Sequence, residues 1–373
     1  MGESRGVWEN AVEVHQAGDL GRAEQLCRRV LRLDPYHADA LHLLGVVAYQ
    51  GGRAHEAVQF IGKAISMNGR EPSYHGNLGA AYSALERWDE AVECYQQAVH
   101  LEPQDALVHY NLGVVLLRQQ NWVGALNRFK LALELQPDLV EAWNSLGNVH
   151  EQAGNFEQAA NCYAHALGLD SQSAEAAFNL GNVRLAQHRL TEAVACYSIA
   201  LQIQPQLVEA LNNLGTALRQ LGRFEQAVES YRIAVKIRPE FAEAHNNLGT
   251  TLTSLGRLAE AEACYRQAIT INPESAAARN NLGTVQHEQG QVAAASESFA
   301  QALRLRPDYS DALGNQAAAF QYLGQVAEAR DCYRQALALD PQQSRLQIQA
   351  ALLLPPIYES LADLQHWRQS LEH

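Results

Sequence analysis

An all-α array of stacked helical hairpins is the fold class this sequence predicts. Alanine recurs at ten positions spaced by 34 residues, from Ala23 to Ala329. A second small column follows seven residues later, Ala64 to Ala336, with Val30 in the first unit. Between the two stands a bulky column: Cys27, Ile61, Tyr95, Phe129, Tyr163, Tyr197, Tyr231, Tyr265, Phe299 and Tyr333. A strict period of this length marks modules that bury their apolar faces only against their neighbours, so function belongs to a long shared surface.

The elements follow in order within each unit. The first helix carries a glycine column, Gly45 to Gly283, replaced by Ala11 and Ala317 at the two ends. A mid-helix glycine costs roughly 1 kcal/mol against alanine, so its repetition implies close backbone contact. Turn glycines such as Gly18, Gly52, Gly154, Gly222, Gly256, Gly290 and Gly324 end the first helix. On the second helix, spacings of four and seven place both alanine columns and the bulky residue on one face, where small residues admit a neighbouring helix and the large one fills the gap. Proline cannot continue a helix, so Pro35, Pro103, Pro137, Pro205, Pro239, Pro273, Pro307 and Pro341 end the second helices, with Gly69 and Ser171 as substitutes.

Leu-Gly, Ala, aromatic, Ala and Pro in this register resembles the tetratricopeptide repeat, over ten units at residues 4–343. The resemblance implies helical hairpins stacked into a right-handed superhelical solenoid at about 10 Å per helix, or roughly 100 Å of contour for the ten units. Residues 344–370 are expected to form C-terminal capping and linker helices, and Leu371, Glu372 and His373 read as the start of a purification tag.

With 28 basic and 41 acidic side chains the net charge is −13, which argues against nucleic acid and for basic or neutral peptide partners. Residues 1–14 contain no apolar core of signal-peptide type, and no stretch approaches the ~20 apolar residues of a membrane span, so a cytoplasmic chain without membrane attachment is expected. Five of six cysteines, Cys94, Cys162, Cys196, Cys264 and Cys332, share one repeat position. Equivalent positions lie about 10 Å apart, beyond the roughly 7 Å between Cα atoms that a disulfide spans, so reduced packing residues are expected. HExxH, GxSxG, GxxxxGK and a strand-to-helix GxGxxG are absent from the sequence, so no catalytic, metal or cofactor site is assigned and the chain is read as a non-enzyme. His75, His109 and His245 share a first-helix position and are read as packed or partly exposed side chains.

The residue before each first-helix Leu is polar from the third unit onward: Asn77, Asn111, Ser145, Asn179, Asn213, Asn247 and Asn281, with Asn315 continuing the line before Gln316. In tetratricopeptide proteins this position faces the concave groove, so the resemblance implies an amide ladder there. An amide both donates and accepts, and so pairs with either group of an extended peptide backbone. At about 10 Å per repeat and 3.3 Å per extended residue, one rung meets every third peptide residue. Four residues before the ladder stand Asp39, Glu141, Glu175, Glu209, Glu243 and Asp311; three after it come Asn148, Asn182, Thr216, Thr250 and Thr284. Such a groove favours ligands carrying Lys, Arg, Ser or Thr. The ladder amides bonding only to neighbouring repeats or water, and the acids serving only the helix dipole, are the competing readings.

A long array with this ladder resembles the arm of protein O-GlcNAc transferase and its SPINDLY-like relatives, and the LPPIYES segment is similar to the stretch leading into their catalytic region. That likeness implies a substrate-recruiting arm of an intracellular O-glycosyltransferase whose catalytic domain lies beyond this chain. A stand-alone adaptor that assembles a complex is the alternative. Relatives dimerise through the convex face, so a homodimer is compatible, although no residue pattern here specifies one.

Overall fold

The computed structural model describes residues 2–342 and 344–351, and among them every regular element is a helix. They fall into two units, residues 1–183 and 184–373. The first unit holds α1 (Gly2–Gln16), α2 (Leu20–Leu33), α3 (Ala38–Gln50), α4 (Ala54–Met67), α5 (Pro72–Ala84), α6 (Trp88–Leu101), α7 (Ala106–Arg118), α8 (Trp122–Leu135), α9 (Val140–Gln152), α10 (Phe156–Leu169) and most of α11 (Ala174–Ala186). The second holds α12 (Leu190–Ile203), α13 (Val208–Gln220), α14 (Phe224–Ile237), α15 (Ala242–Ser254), α16 (Leu258–Ile271), α17 (Ala276–Glu288), α18 (Val292–Leu305), α19 (Ser310–Tyr322), α20 (Val326–Leu339) and α21 (Ser344–Ala351).

Odd-numbered helices up to α19 are the first helices of the repeats and even-numbered ones the second, and every pair that lies within one unit packs as a hairpin. Within each unit first helices also touch one another, α3 with α5 and α5 with α7, α13 with α15 and α17 with α19. Among the described residues no two second helices approach as closely, so the first-helix face is the inner side of each stack.

Both alanine columns are buried to 1% exposure or less throughout, as the spacing predicts. The glycine column is tight for a different reason from the one expected. A Cβ on Gly147 would sit 2.5 Å from the Tyr163 ring, one on Gly215 2.7 Å from Tyr231, and one on Gly283 2.6 Å from Phe299. What forbids a side chain at these three positions is thus the aromatic ring sixteen residues on, in the same hairpin, and not an opposing backbone.

All ten hairpin turns place one residue in the left-handed region. Seven are glycines, from Gly18 (φ 82°) to Gly324 (φ 77°), and three are Glu86 (φ 56°), Gln120 (φ 60°) and His188 (φ 57°). The second helix of the third repeat ends at Leu101, with Glu102 as C-cap and Pro103 next; in the second and fifth repeats Gly69 and Ser171 stand where the proline would. At the C-terminal end α21 lays Leu346, 4% exposed, against the last hairpin. Pro355, Pro356, the rest of the expected 344–370 cap, the LPPIYES segment and the expected tag lie outside the described residues.

Candidate peptide-binding groove

The ladder asparagines sit near the middle of successive first helices: Asn77 on α5, Asn111 on α7 and Asn179 on α11 in the first unit, Asn213 on α13, Asn247 on α15, Asn281 on α17 and Asn315 on α19 in the second. All seven are half-buried, as is Asn182, while Asn148 is exposed. Glu141, Glu175 and Glu243 are exposed and Glu209 is half-buried. Leu78, Leu112, Leu180, Leu248 and Leu282, each following a rung, point into the core, which holds those rungs at the surface of the inner face.

The rungs are also tied to the array. Asn247 donates through Nδ2 to Asn212 Oδ1 (3.1 Å), Asn281 to Asn246 Oδ1 (3.1 Å) and Asn315 to Asn280 Oδ1 (3.0 Å), each reaching the residue 35 positions back. Asn77 makes the same reach to His42 Nε2 at 2.8 Å. A sequence signal for this exists in the doublets Asn212-Asn213, Asn246-Asn247 and Asn280-Asn281, which the ladder alone leaves unread. One N–H of each such amide is spent within the array, leaving an oxygen and a second N–H per rung. Asn144, the residue 35 positions before Asn179, keeps its Oδ1 buried without a donor.

The flanking columns are likewise engaged. Arg238 donates to Glu209 at 2.7 Å, and Asn212 Nδ2 donates to Glu243 Oε1 at 3.0 Å. Burial acts to raise the Glu209 carboxyl, but its own backbone N–H and Arg238 more than offset this and hold it below the usual carboxylate range. Among the described residues no cation pairs with Glu141 or Glu175. The tyrosines of the bulky column reach through to the third column: Tyr163 donates to Asn148 Oδ1 (2.6 Å) and Glu151 Oε2 (2.8 Å), Tyr231 bonds Thr216 Oγ1 (3.0 Å), and Tyr265 donates to Thr250 Oγ1 (3.3 Å). Burial, reinforced by the Glu151 charge, pushes the Tyr163 phenol far up, so it stays a donor.

The histidine column closes the joints between repeats. His75 bonds the Gly69 carbonyl (3.0 Å), His109 that of Pro103 (3.0 Å) and His245 that of Pro239 (2.9 Å). Trp143 donates to Pro137 (2.8 Å) and Arg279 to Pro273 (2.8 Å) from the same position. This is a clasp from the fourth residue of a first helix to the carbonyl six residues earlier, and sequence reading misses it because His, Trp and Arg share only an N–H. All six cysteines are free. Burial pushes the thiols up, to about 11 at Cys27, Cys162 and Cys264 and about 12 at Cys94, as befits packing residues rather than nucleophiles.

Two solved structures share the fold, and a third resembles the chain more loosely. The hetero-tetramer Cut9-Hcn1 of the APC/C aligns over 92% of this chain and 95% of its own at 14% identity with a TM-score of 0.51. PilF of Pseudomonas aeruginosa aligns over 57% and 96% at 21% identity with a TM-score of 0.51. YrrB, described as a TPR protein with an unusual peptide-binding site, aligns over 50% and 95% at 26% identity with a TM-score of 0.44. No curated protein matches the chain significantly. Family profiles for TPR repeat and Tetratricopeptide repeat match residues 79–120 and 104–172, and one for subunit 3 of the anaphase-promoting complex, cyclosome, matches 16–98. The profile of the C-terminal domain of cilia and flagella-associated protein 70 matches 170–372, more than half of the 373 residues. The chain is a tetratricopeptide repeat protein and belongs, through residues 170–372, to the family of the cilia and flagella-associated protein 70 C-terminal domain.

Proposed function

We propose that this protein is a scaffold that holds extended segments of partner proteins along the inner face of its first helices. The observation that carries the reading is the partial commitment of the ladder amides: Asn247, Asn281 and Asn315 are each fixed by one bond to the previous repeat and keep an oxygen and an N–H for a ligand. A fixed amide loses little rotamer freedom on binding, so a preset rung contributes more than a mobile one. Backbone contacts of this kind are blind to side-chain identity, and the uncompensated Glu141 and Glu175 favour segments carrying Lys or Arg.

The test is calorimetry with a disordered 15-residue peptide of Ser, Thr and Lys. Replacing Asn247, Asn281 and Asn315 together by Ala is expected to weaken binding at least about tenfold, with a loss of about 1 kcal/mol of stability per severed rung bond. The stability cost follows from the bonds that tie these rungs to the preceding repeat. Unchanged affinity in a helical triple variant would refute the groove. What supports a substrate-recruiting arm of an O-glycosyltransferase is the ladder and its sequence likeness; a stand-alone adaptor would use the same groove. Reading the gene past residue 370 separates the two, an α/β catalytic pattern favouring the arm and a stop codon the adaptor.

A further inference from the structure

Away from the ladder, a groove of about 400 Å³ opens between α18, α19 and α20, lined among others by Pro307, Leu313, Gln316 and Gln335. Gln316 is 4% exposed; its Nε2 donates to Ser296 Oγ at 2.8 Å, and its Oε1 is buried with no donor. A buried acceptor left unpaired costs about 1–3 kcal/mol, which marks the position as one awaiting a partner.

One repeat earlier the protein displays what fits such a groove. Arg279 occupies the position equivalent to Leu313, and its guanidinium donates to the Pro273 carbonyl (2.8 Å) and to Gln301 on α18. Thirty-four residues on, both acceptors recur as Pro307 and Gln335, and Gln316 adds a third, yet Leu313 has no donor to offer them. The cation that lines this groove, Arg304, is neutralised by Glu297 at 2.9 Å, and the chain as a whole carries −13. Several acceptor oxygens around a cleft lined also by the apolar Leu303, Leu313 and Phe320 suit a planar cation with a fan of N–H donors, which lysine, a point charge, does not supply.

We propose that this groove binds an arginine side chain of a partner protein segment, its guanidinium lying as Arg279 lies and donating to the Pro307 carbonyl, Gln316 Oε1 and Gln335 Oε1. The partner arginine completes the repeat in trans, independently of the ladder.

Titrating N-acetylarginine amide into ¹⁵N-labelled protein tests this, with the Gln316 and Gln335 side-chain amides as reporters. Saturable shifts are expected, with N-acetylcitrulline amide, isosteric but neutral, and N-acetyllysine amide each binding about tenfold more weakly. Gln335→Leu, at an exposed position that the fold does not need, is expected to weaken the arginine probe severalfold, read at Gln316. Leu313→Arg supplies the missing side chain in cis and is expected to abolish binding of the probe. The proposal is overturned if the arginine probe causes no shift, if citrulline binds as well as arginine, or if both folded variants bind the probe as the wild type does.

Discussion

Gln120 illustrates how tightly the repeat constrains single residues. Its φ of 60° is the conformation that seven other turns assign to glycine, and for a residue with a Cβ that region costs about 1–2 kcal/mol. Glycine returns about 0.5–1 kcal/mol of this through greater freedom in the unfolded chain. Gln120→Gly is therefore expected to stabilise the protein by about 0.5–1 kcal/mol, seen as a higher midpoint in thermal melts, and a lower midpoint would mean that the Gln120 side chain makes a compensating contact. The turn position itself was legible in the glycines at 18, 52 and 154. What the sequence left hidden is that Glu86, Gln120 and His188 adopt the same geometry without the residue that announces it.

At the level of the element, the second helix is almost wholly readable. Two alanines and a ring at fixed spacing state which face is buried and against what, and the ring then explains the glycine on the partner helix. The joints between repeats are not readable, because the clasp is a role filled by different chemistries. Trp143→Phe keeps a ring against His165 but removes the N–H that serves the Pro137 carbonyl, and is expected to cost about 1–2 kcal/mol in denaturant unfolding. A cost near zero would assign the stabilisation at this joint to stacking alone. The ladder sits between these cases: its line along the first helices follows from the period, whereas its bonds to the preceding repeat depend on the neighbour 35 residues away, which no local pattern encodes.

Across the molecule, acidity acts unevenly. Burial pushes the His42 imidazole down to about 4 against the opposing pull of Asp39 and Glu71, and its Nε2 accepts from Asn77 only while neutral. The unfolded histidine titrates near 6.5, so in the interval between 6.5 and about 4 the unfolded chain binds the extra proton. Stability is full above pH 6.5 and falls as the pH drops through this interval, and His150, lowered by burial and then by Lys130, adds to the slope. Glu24, held down by its bonds to Arg53 and Arg28, is stabilising above 4.5 and loses that contribution only as the pH falls below it, outside this interval's upper part. The melting temperature is expected to drop from pH 6.5 to pH 5, and His42→Gln to make that drop shallower; an identical slope in the variant would remove His42 from the account. The reach of 35 residues from rung to anchor has a consequence for ancestry. Excision of the 34 residues from Asn247 to Asn280 would bring Asn281 to stand 35 places after Asn212, so the severed ends would find a ready acceptor of the same kind. Recombination can thus lengthen or shorten such a chain by whole modules without leaving a scar in its bonding.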